Sequence, residues 1–159
     1  MTISNRVSSY LNEHDIHYQV ISHSHSTSSI GSAISAHVPL DNIAKAVILK
    51  DHEDRKLMAI LPAKNKISIS ALNEQLFASY QLLKESEVYQ MFGDCEHGAV
   101  PPLSDAYNMA CVCDELLDNL DDIYIESGDH LNLLHLKHQD FETMVANARH
   151  MRFSHEVFH

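Results

Sequence analysis

"NIAKAVILKDHEDRKLMAILPA" (Asn42–Ala63) holds two aliphatic runs, "IAKAVILK" and "KLMAILPA", on either side of the polar "DHEDR". Short runs rich in Val, Ile and Leu, bounded by polar residues, read as paired strands, and their near-continuous apolar character suits a buried sheet. Lys45 interrupts the first run. A lysine there is either an edge residue snorkelling to water or a charge at the mouth of a pocket, where a compact ammonium binds anions such as phosphate. On this residue alone, snorkelling is the simpler reading.

Upstream of the hairpin, Ile3, Val7, Tyr10 and Leu11 recur at helical spacing, and "YQVIS" reads as a strand. Thr27 or Ser28 is placed to cap a second helix carrying Ile30, Ala33 and Ile34, before a "VPLDN" turn. Downstream, Ser70 is expected to cap a short helix with Leu72, Leu76 and Phe77, and Ser86 another, "EVYQMF", that Gly93 ends. "MACVC" reads as a strand, "DDIYIES" and "HLNLLHLK" as a second hairpin around "GD", and "QDFETMVANAR" as a closing helix. Strands and helices mix without strict βαβ alternation. The fold class expected is therefore α/β (α+β), a mixed, largely antiparallel sheet with helices packed around it. A length of 159 residues suits one domain spanning 1–159.

A hydrophobic content of 45% and a charged content of 21% are those of a globular protein. The apolar runs are too short to span a bilayer, so no membrane partner is expected. The first residues, "MTISNRVSSYLNEHD", lack the basic start and apolar stretch of a secretory signal. Three cysteines without framework spacing suggest reduced thiols in the cytoplasm. The formal charge of −11 argues against a generic nucleic-acid binder. It is unevenly spread: Lys45, Lys50, Arg55, Lys56, Lys64 and Lys66 cluster within 45–66, whereas 114–129 holds seven acids and no base. A basic patch on an acidic body and a solvated mixture of charges both fit these counts.

"DCEHGAVPPLSD" (Asp94–Asp105) sets a glycine before a double proline. Gly98 lets a ligand approach the main chain closely, while Pro101 and Pro102 fix φ and remove two donors. The amides of Gly98, Ala99 and Val100 are thereby available to a ligand oxygen. An ordinary surface turn is the simpler alternative. Thirteen histidines invite a metal, but His23/His25, Cys95/His97, Cys111/Cys113 and His135/His138 have no zinc-finger or ribbon spacing, and H-E-x-x-H is absent. Neither a metal nor another cofactor is expected, and Cys111 and Cys113 read as buried apolar residues on one strand face. No nucleophile elbow, phosphate loop or dinucleotide fingerprint occurs, and Cys95 with His97 is a weak thiolate pair.

Taken in order, "NIAKAVILK", "GDCEHGAVPPLSD" and "IYIESGDHLNLLHLKHQDFETMV" resemble the YbaK/EbsC and prolyl-tRNA editing-domain family over nearly the whole chain. Lys45 matches the family's lysine opening a buried strand. Gly98, Pro101 and Pro102 match its glycine followed by proline. Gly128 matches the tight turn of its third motif, with His130 where editing members often carry histidine. The chain departs from the common "PFG" or "PLG" at Pro102, Leu103 and Ser104, which bears on the amino acid accepted. The resemblance implies hydrolysis of the ester joining a wrong amino acid to tRNA, in trans, with no metal and no covalent enzyme intermediate. It implies that amides at Gly98 and Ala99 hold the ester carbonyl, that Lys45 binds the terminal phosphate or a neighbouring nucleotide, and that His130 shapes the pocket. Pro101, Ser104 and Gly128 complete the substrate-binding set. The partners implied are the acceptor end of aminoacyl-tRNA and an aminoacyl-tRNA synthetase, with the basic run as docking surface. The alternative is a non-catalytic module of the same fold that binds tRNA or a small anion.

Overall fold

A computed structural model describes residues 5–23, 36–95, 99–129 and 131–156. The elements in chain order begin with α1 (Asn5–Glu13), β1 (Gln19–Ser22), β2 (Ile43–Lys50), β3 (Lys56–Pro62) and β4 (Asn65–Ile67). There follow α2 (Ile69–Leu76), β5 (Gln81–Leu82), α3 (Glu85–Met91) and β6 (Ala110–Asp114). The chain continues through β7 (Asp122–Glu126), β8 (Asn132–Lys137), α4 (His138–Met144), β9 (Arg149–Met151) and β10 (Ser154–Glu156). The expected second helix around Ile30 to Ile34 lies outside the described residues. Among the described residues, no helix is long and apolar enough to cross a membrane.

The hairpin read from Asn42–Ala63 forms as β2 against β3, in register from Ala44 opposite Pro62 to Lys50 opposite Lys56. Its turn is held by the buried Asp51, whose carboxylate accepts from the amides of Glu53 and Arg55 and from the Arg55 guanidinium. The second hairpin, β7 with β8, also forms antiparallel, and β1 pairs antiparallel on the far side of β8. Two parallel junctions, β2–β7 and β3–β6, join the hairpins and the "MACVC" strand, and β9 adds a third parallel pair beyond β6. The sheet runs β1-β8-β7-β2-β3-β6-β9, with β5 on the end of β2 and a separate β4–β10 pair. It is mixed and largely antiparallel, as expected.

Alternation along the strands divides the core into layers. Ala44, Ile48, Met58, Ile60, Cys111, Cys113, Ile123, Ile125, Leu134 and Leu136 fall in one cluster, with Val7 and Leu11 of α1 and Phe141 and Met144 of α4. Leu49, Leu57, Ala59, Leu61 and Val112 fall on the opposite face, against Leu72 of α2 and Phe153. Cys111 and Cys113 are buried and unbridged, as small apolar residues would be.

Helix boundaries differ from the reading in four places. Ser68, not Ser70, caps α2, accepting from the Ala71 amide at 3.3 Å, because Ser68 rather than Ser70 has the extended conformation of a cap. Phe77 follows α2 in a left-handed conformation and is almost wholly exposed instead of joining its apolar face. Lys84, not Ser86, precedes α3; Phe92 occupies its C-terminal cap and Gly93 follows it. The closing helix stops at Met144, and the chain turns back into β9 and β10. Fully buried Asp114 holds that return, accepting from the Phe153 amide at 3.1 Å and the Ser154 hydroxyl at 2.7 Å.

Candidate active site

Lys45 lies where two strands part. β2 pairs with β7 only at Ile43 opposite Tyr124 and Ala44 opposite Ile125, and meets β5 again at Leu49 and Lys50. Between these contacts, the β7 side of β2 from Lys45 to Ile48 is unladdered. β2 leads on to β3 and β7 to β8, in opposite directions across the sheet. Adjacent parallel strands with that connectivity open a crevice at their carboxyl ends. The residues next after the last ladder pair are Lys45 on β2 and buried Glu126 on β7, and alternation puts both on the face of Ile43 and Tyr124.

Lys45 is half-buried and has no ion-pair partner among the described residues. Burial holds its pKa below the ordinary lysine value, because desolvation disfavours the ammonium. A cation so placed is under-solvated and gains most from an incoming anion.

Beyond β7 the chain makes the Gly-containing turn. Gly128 has φ 110°, a conformation only glycine adopts without strain. Asp129 is buried beside it and organises the turn. Its carboxylate accepts from the amides of Leu131 (2.9 Å) and Asn132 (3.0 Å), the Ser127 hydroxyl (2.9 Å) and the Asn132 side-chain amide (2.7 Å). Burial pushes the Asp129 pKa up, but these donors outweigh it and leave the value below that of an ordinary aspartate. His130 is bracketed by this network and lies outside the described residues.

Gly98 also lies outside them, but both flanks of its loop are fixed. On one side, the Tyr107 hydroxyl donates to Asp94 at 3.2 Å and lies 3.2 Å from the Cys95 sulfur. Tyr107 packs on Phe92, with Arg6 over its ring at 4.8 Å. On the other side, Ala99, Pro101 and Pro102 are buried, and the Leu103 amide donates to the Pro101 carbonyl at 2.8 Å, closing a three-residue turn around Pro102. Burial pushes the Cys95 thiol up to about 11, so it is not the thiolate that a nucleophile requires.

The structure thus brings Lys45 together with the start of the Gly128 turn. It does not bring Ser104 there. Ser104 is buried, accepts the Met109 amide on its carbonyl, and hydrogen-bonds Cys111, which belongs to the face opposite Lys45. The basic run is not an open patch either. Lys50 pairs with Glu87 at 3.2 Å, Arg55 with Asp51 at 2.7 Å and Glu53 at 3.0 Å, and Lys56 with Asp54 at 2.8 Å. Lys64 bridges Asp41 and Glu156. Nearby carboxylates on the acidic body neutralise cations that look clustered in sequence.

Sequence reasoning missed the parting of β2 from β7 and the role of Asp129. The second had a signal, since an aspartate after glycine with asparagine three residues on is turn chemistry. The first had none, because pairing between residues 81 positions apart leaves no local trace.

A half-buried cation at a strand parting, a glycine–proline loop anchored on both flanks and a Gly128 turn form an ordered set. A family model described as the aminoacyl-tRNA editing domain matches residues 23–144. The chain belongs to that family. Solved structures share the editing-domain fold. A hypothetical protein, APE2540, superposes with a TM-score of 0.83 at 19% identity, covering 95% of this chain and 100% of its own. A candidate trans-editing enzyme for prolyl tRNA synthetase gives 0.81 at 17% identity, covering 96% of each chain. A protein from Marinobacter aquaeolei VT8, assigned tentative signal-transduction function, gives 0.78 at 19% identity, covering 94% of this editing domain but 30% of that longer chain. No curated protein matches the sequence.

Proposed function

We propose that this editing domain is a cytoplasmic aminoacyl-tRNA deacylase acting in trans, of the prolyl-tRNA editing type. The observation that carries the reading is Lys45, a half-buried cation with no ion-pair partner among the described residues, opening an apolar strand where β2 parts from β7. Its ammonium binds a phosphate of the tRNA's 3′ end, gaining a charge-assisted contact that offsets its own desolvation. The amides of Gly98 and Ala99 donate to the ester carbonyl oxygen and stabilise the oxyanion that forms on it. Water adds to the carbonyl carbon, the ester C–O bond breaks, and the ribose oxygen leaves with a proton, which the neighbouring ribose hydroxyl helps to relay. His130 hydrogen-bonds the aminoacyl group, and Pro101 and Gly128 fix the two loops that frame it. An aminoacyl ester is already activated, so holding water and oxyanion in place supplies most of what the reaction requires. Ser104 acts at one remove, through the packing of the strand that follows the loop.

The test is release of free amino acid from a panel of mischarged tRNAs by purified protein. Turnover on at least one mischarged tRNA, with correctly matched pairs spared, is the expected result. Saturable tRNA binding without release would mark a non-catalytic module and overturn the deacylase reading.

A further inference from the structure

On the sheet edge away from the strand parting, three side chains of different chemistry converge. Parallel pairing of β6 with β9 sets Cys113 directly beside His150. Asp118 reaches the same place from the end of the one-turn 3-10 helix Glu115–Leu117 that follows β6. One donor atom from each of Cys113, Asp118 and His150 lies within 4.8 Å of the others. Asp118 and His150 also line a cavity of about 470 Å³, across which stand His138 and Glu142, themselves 2.9 Å apart. Nothing in the editing reading uses these residues.

We propose that Cys113, Asp118 and His150 form a binding site for a zinc-class divalent transition metal, with the fourth position open to the cavity. Thiolate, imidazole and carboxylate together are a borderline-soft donor set that suits zinc, whereas calcium and magnesium take all-oxygen shells. Tetrahedral zinc holds such donors roughly 3.3–3.8 Å apart, given bonds of about 2.0–2.3 Å. Two of the three side chains can close that gap by rotation, since Asp118 and His150 are about a third exposed. At present, the His150 Nδ1 and Asp118 Oδ1 lie 2.7 Å apart, and the ion takes the place of the proton shared between them. Among the described residues, the Cys113 sulfur has only a long hydrogen-bond contact, 3.7 Å, to the Asp114 carbonyl. The cavity gives the ion a way in and leaves room for water as fourth ligand. Sequence spacing gave no hint of this set, because the aspartate and histidine that complete it lie 5 and 37 positions beyond Cys113.

The test uses the untagged full chain, stripped with chelator and titrated with cobalt(II), with zinc binding followed by calorimetry. One equivalent should bind and give a thiolate-to-cobalt charge-transfer band. Cys111→Ser, a neighbouring buried cysteine outside the set, should keep both. His150→Ala and Asp118→Asn alter partly exposed side chains and are expected to fold. They should weaken zinc by more than the roughly 10–100-fold typical of losing an outer-shell partner. Cys113→Ser should lose the band. Metal bound at surface histidines without a thiolate band, no stoichiometric metal, or binding unaffected by His150→Ala would each overturn the site.

Discussion

The two ends of the β2–β3 hairpin treat positive charge in opposite ways. At the turn, Arg55 is exposed, pairs with Asp51 and Glu53, and has its pKa raised first by the hydrogen bond to Asp51. At the other end, Lys45 is half-buried, meets no carboxylate among the described residues, and has its pKa lowered by burial. In sequence, Arg55 sits among Asp51, Glu53 and Asp54, whereas Lys45 sits in an aliphatic run. Pairing follows the same division. A cation with its counterion in place holds the fold, whereas one left unpaired in a half-dry crevice costs stability until something anionic arrives.

The comparison is sharpened most by changing the residues that the proposed deacylase reading turns towards the substrate. Gly98→Ala should slow single-turnover deacylation by about 10²–10³, the usual cost of one oxyanion donor, while the melting temperature stays near wild type. A normal rate in the folded variant breaks the oxyanion assignment. Lys45→Met should lower the rate by about 10–100-fold, through loss of one charge-assisted phosphate contact. The same change should raise stability at neutral pH. A lysine whose folded pKa lies below its unfolded one destabilises the native state wherever it is charged, and that cost disappears as pH rises towards 10.5. Wild-type stability should therefore climb towards alkaline pH relative to Lys45→Met. Denaturant melts at several pH values check the sign.

Next in size, Asp129→Ala should cost about 3 kcal/mol, because it leaves the Leu131 and Asn132 amides without their buried acceptor. The contribution of Asp129 is fully present above its unfolded pKa and is lost as pH falls through the depressed folded value. An acid melt of the variant should accordingly be flatter than that of wild type below about pH 4. Smaller still, tRNA affinity should fall only shallowly with salt, corresponding to about two phosphates, since four of the six cations in 45–66 are already paired. A steep slope would show that those pairs open on binding. The least effect belongs to the turn. Arg55→Ala should leave deacylation unchanged and the melting temperature within about 2 °C, as exposed ion pairs contribute little.

The hairpins were legible because each is local. Aliphatic runs flank a polar turn at Asp51–Arg55, and a glycine sits where φ must be positive at Gly128. The family motifs located Lys45 for the same reason, as one charge breaking one apolar run. What escaped was long-range. β9 and β10 are three residues each and pair with β6 and β4, so neither has the length or alternation that reads as a strand. The neutralisation of the basic run escaped likewise, since Lys64 meets Asp41 and Glu156, 23 and 92 positions away. Ser68 and Ser70 are both suitable capping residues two apart, and only the backbone conformation decides between them.

The carboxylate of Asp114 has a consequence for biosynthesis. Its partners, Phe153 and Ser154, follow about 40 residues later in the chain, so they leave the ribosome after it. Until they arrive, a nascent chain with its central sheet already collapsed carries an aspartate with one oxygen, Oδ1, served by the Leu116 amide and the other, Oδ2, lacking both its donors. Either β6 waits outside the core, or Asp114 enters it with Oδ2 unsatisfied, at a cost of several kcal/mol. Emergence of Phe153 and Ser154 thus becomes the event that lets the sheet edge at β6 close, and until then that edge is open to chaperones or to another unfinished chain.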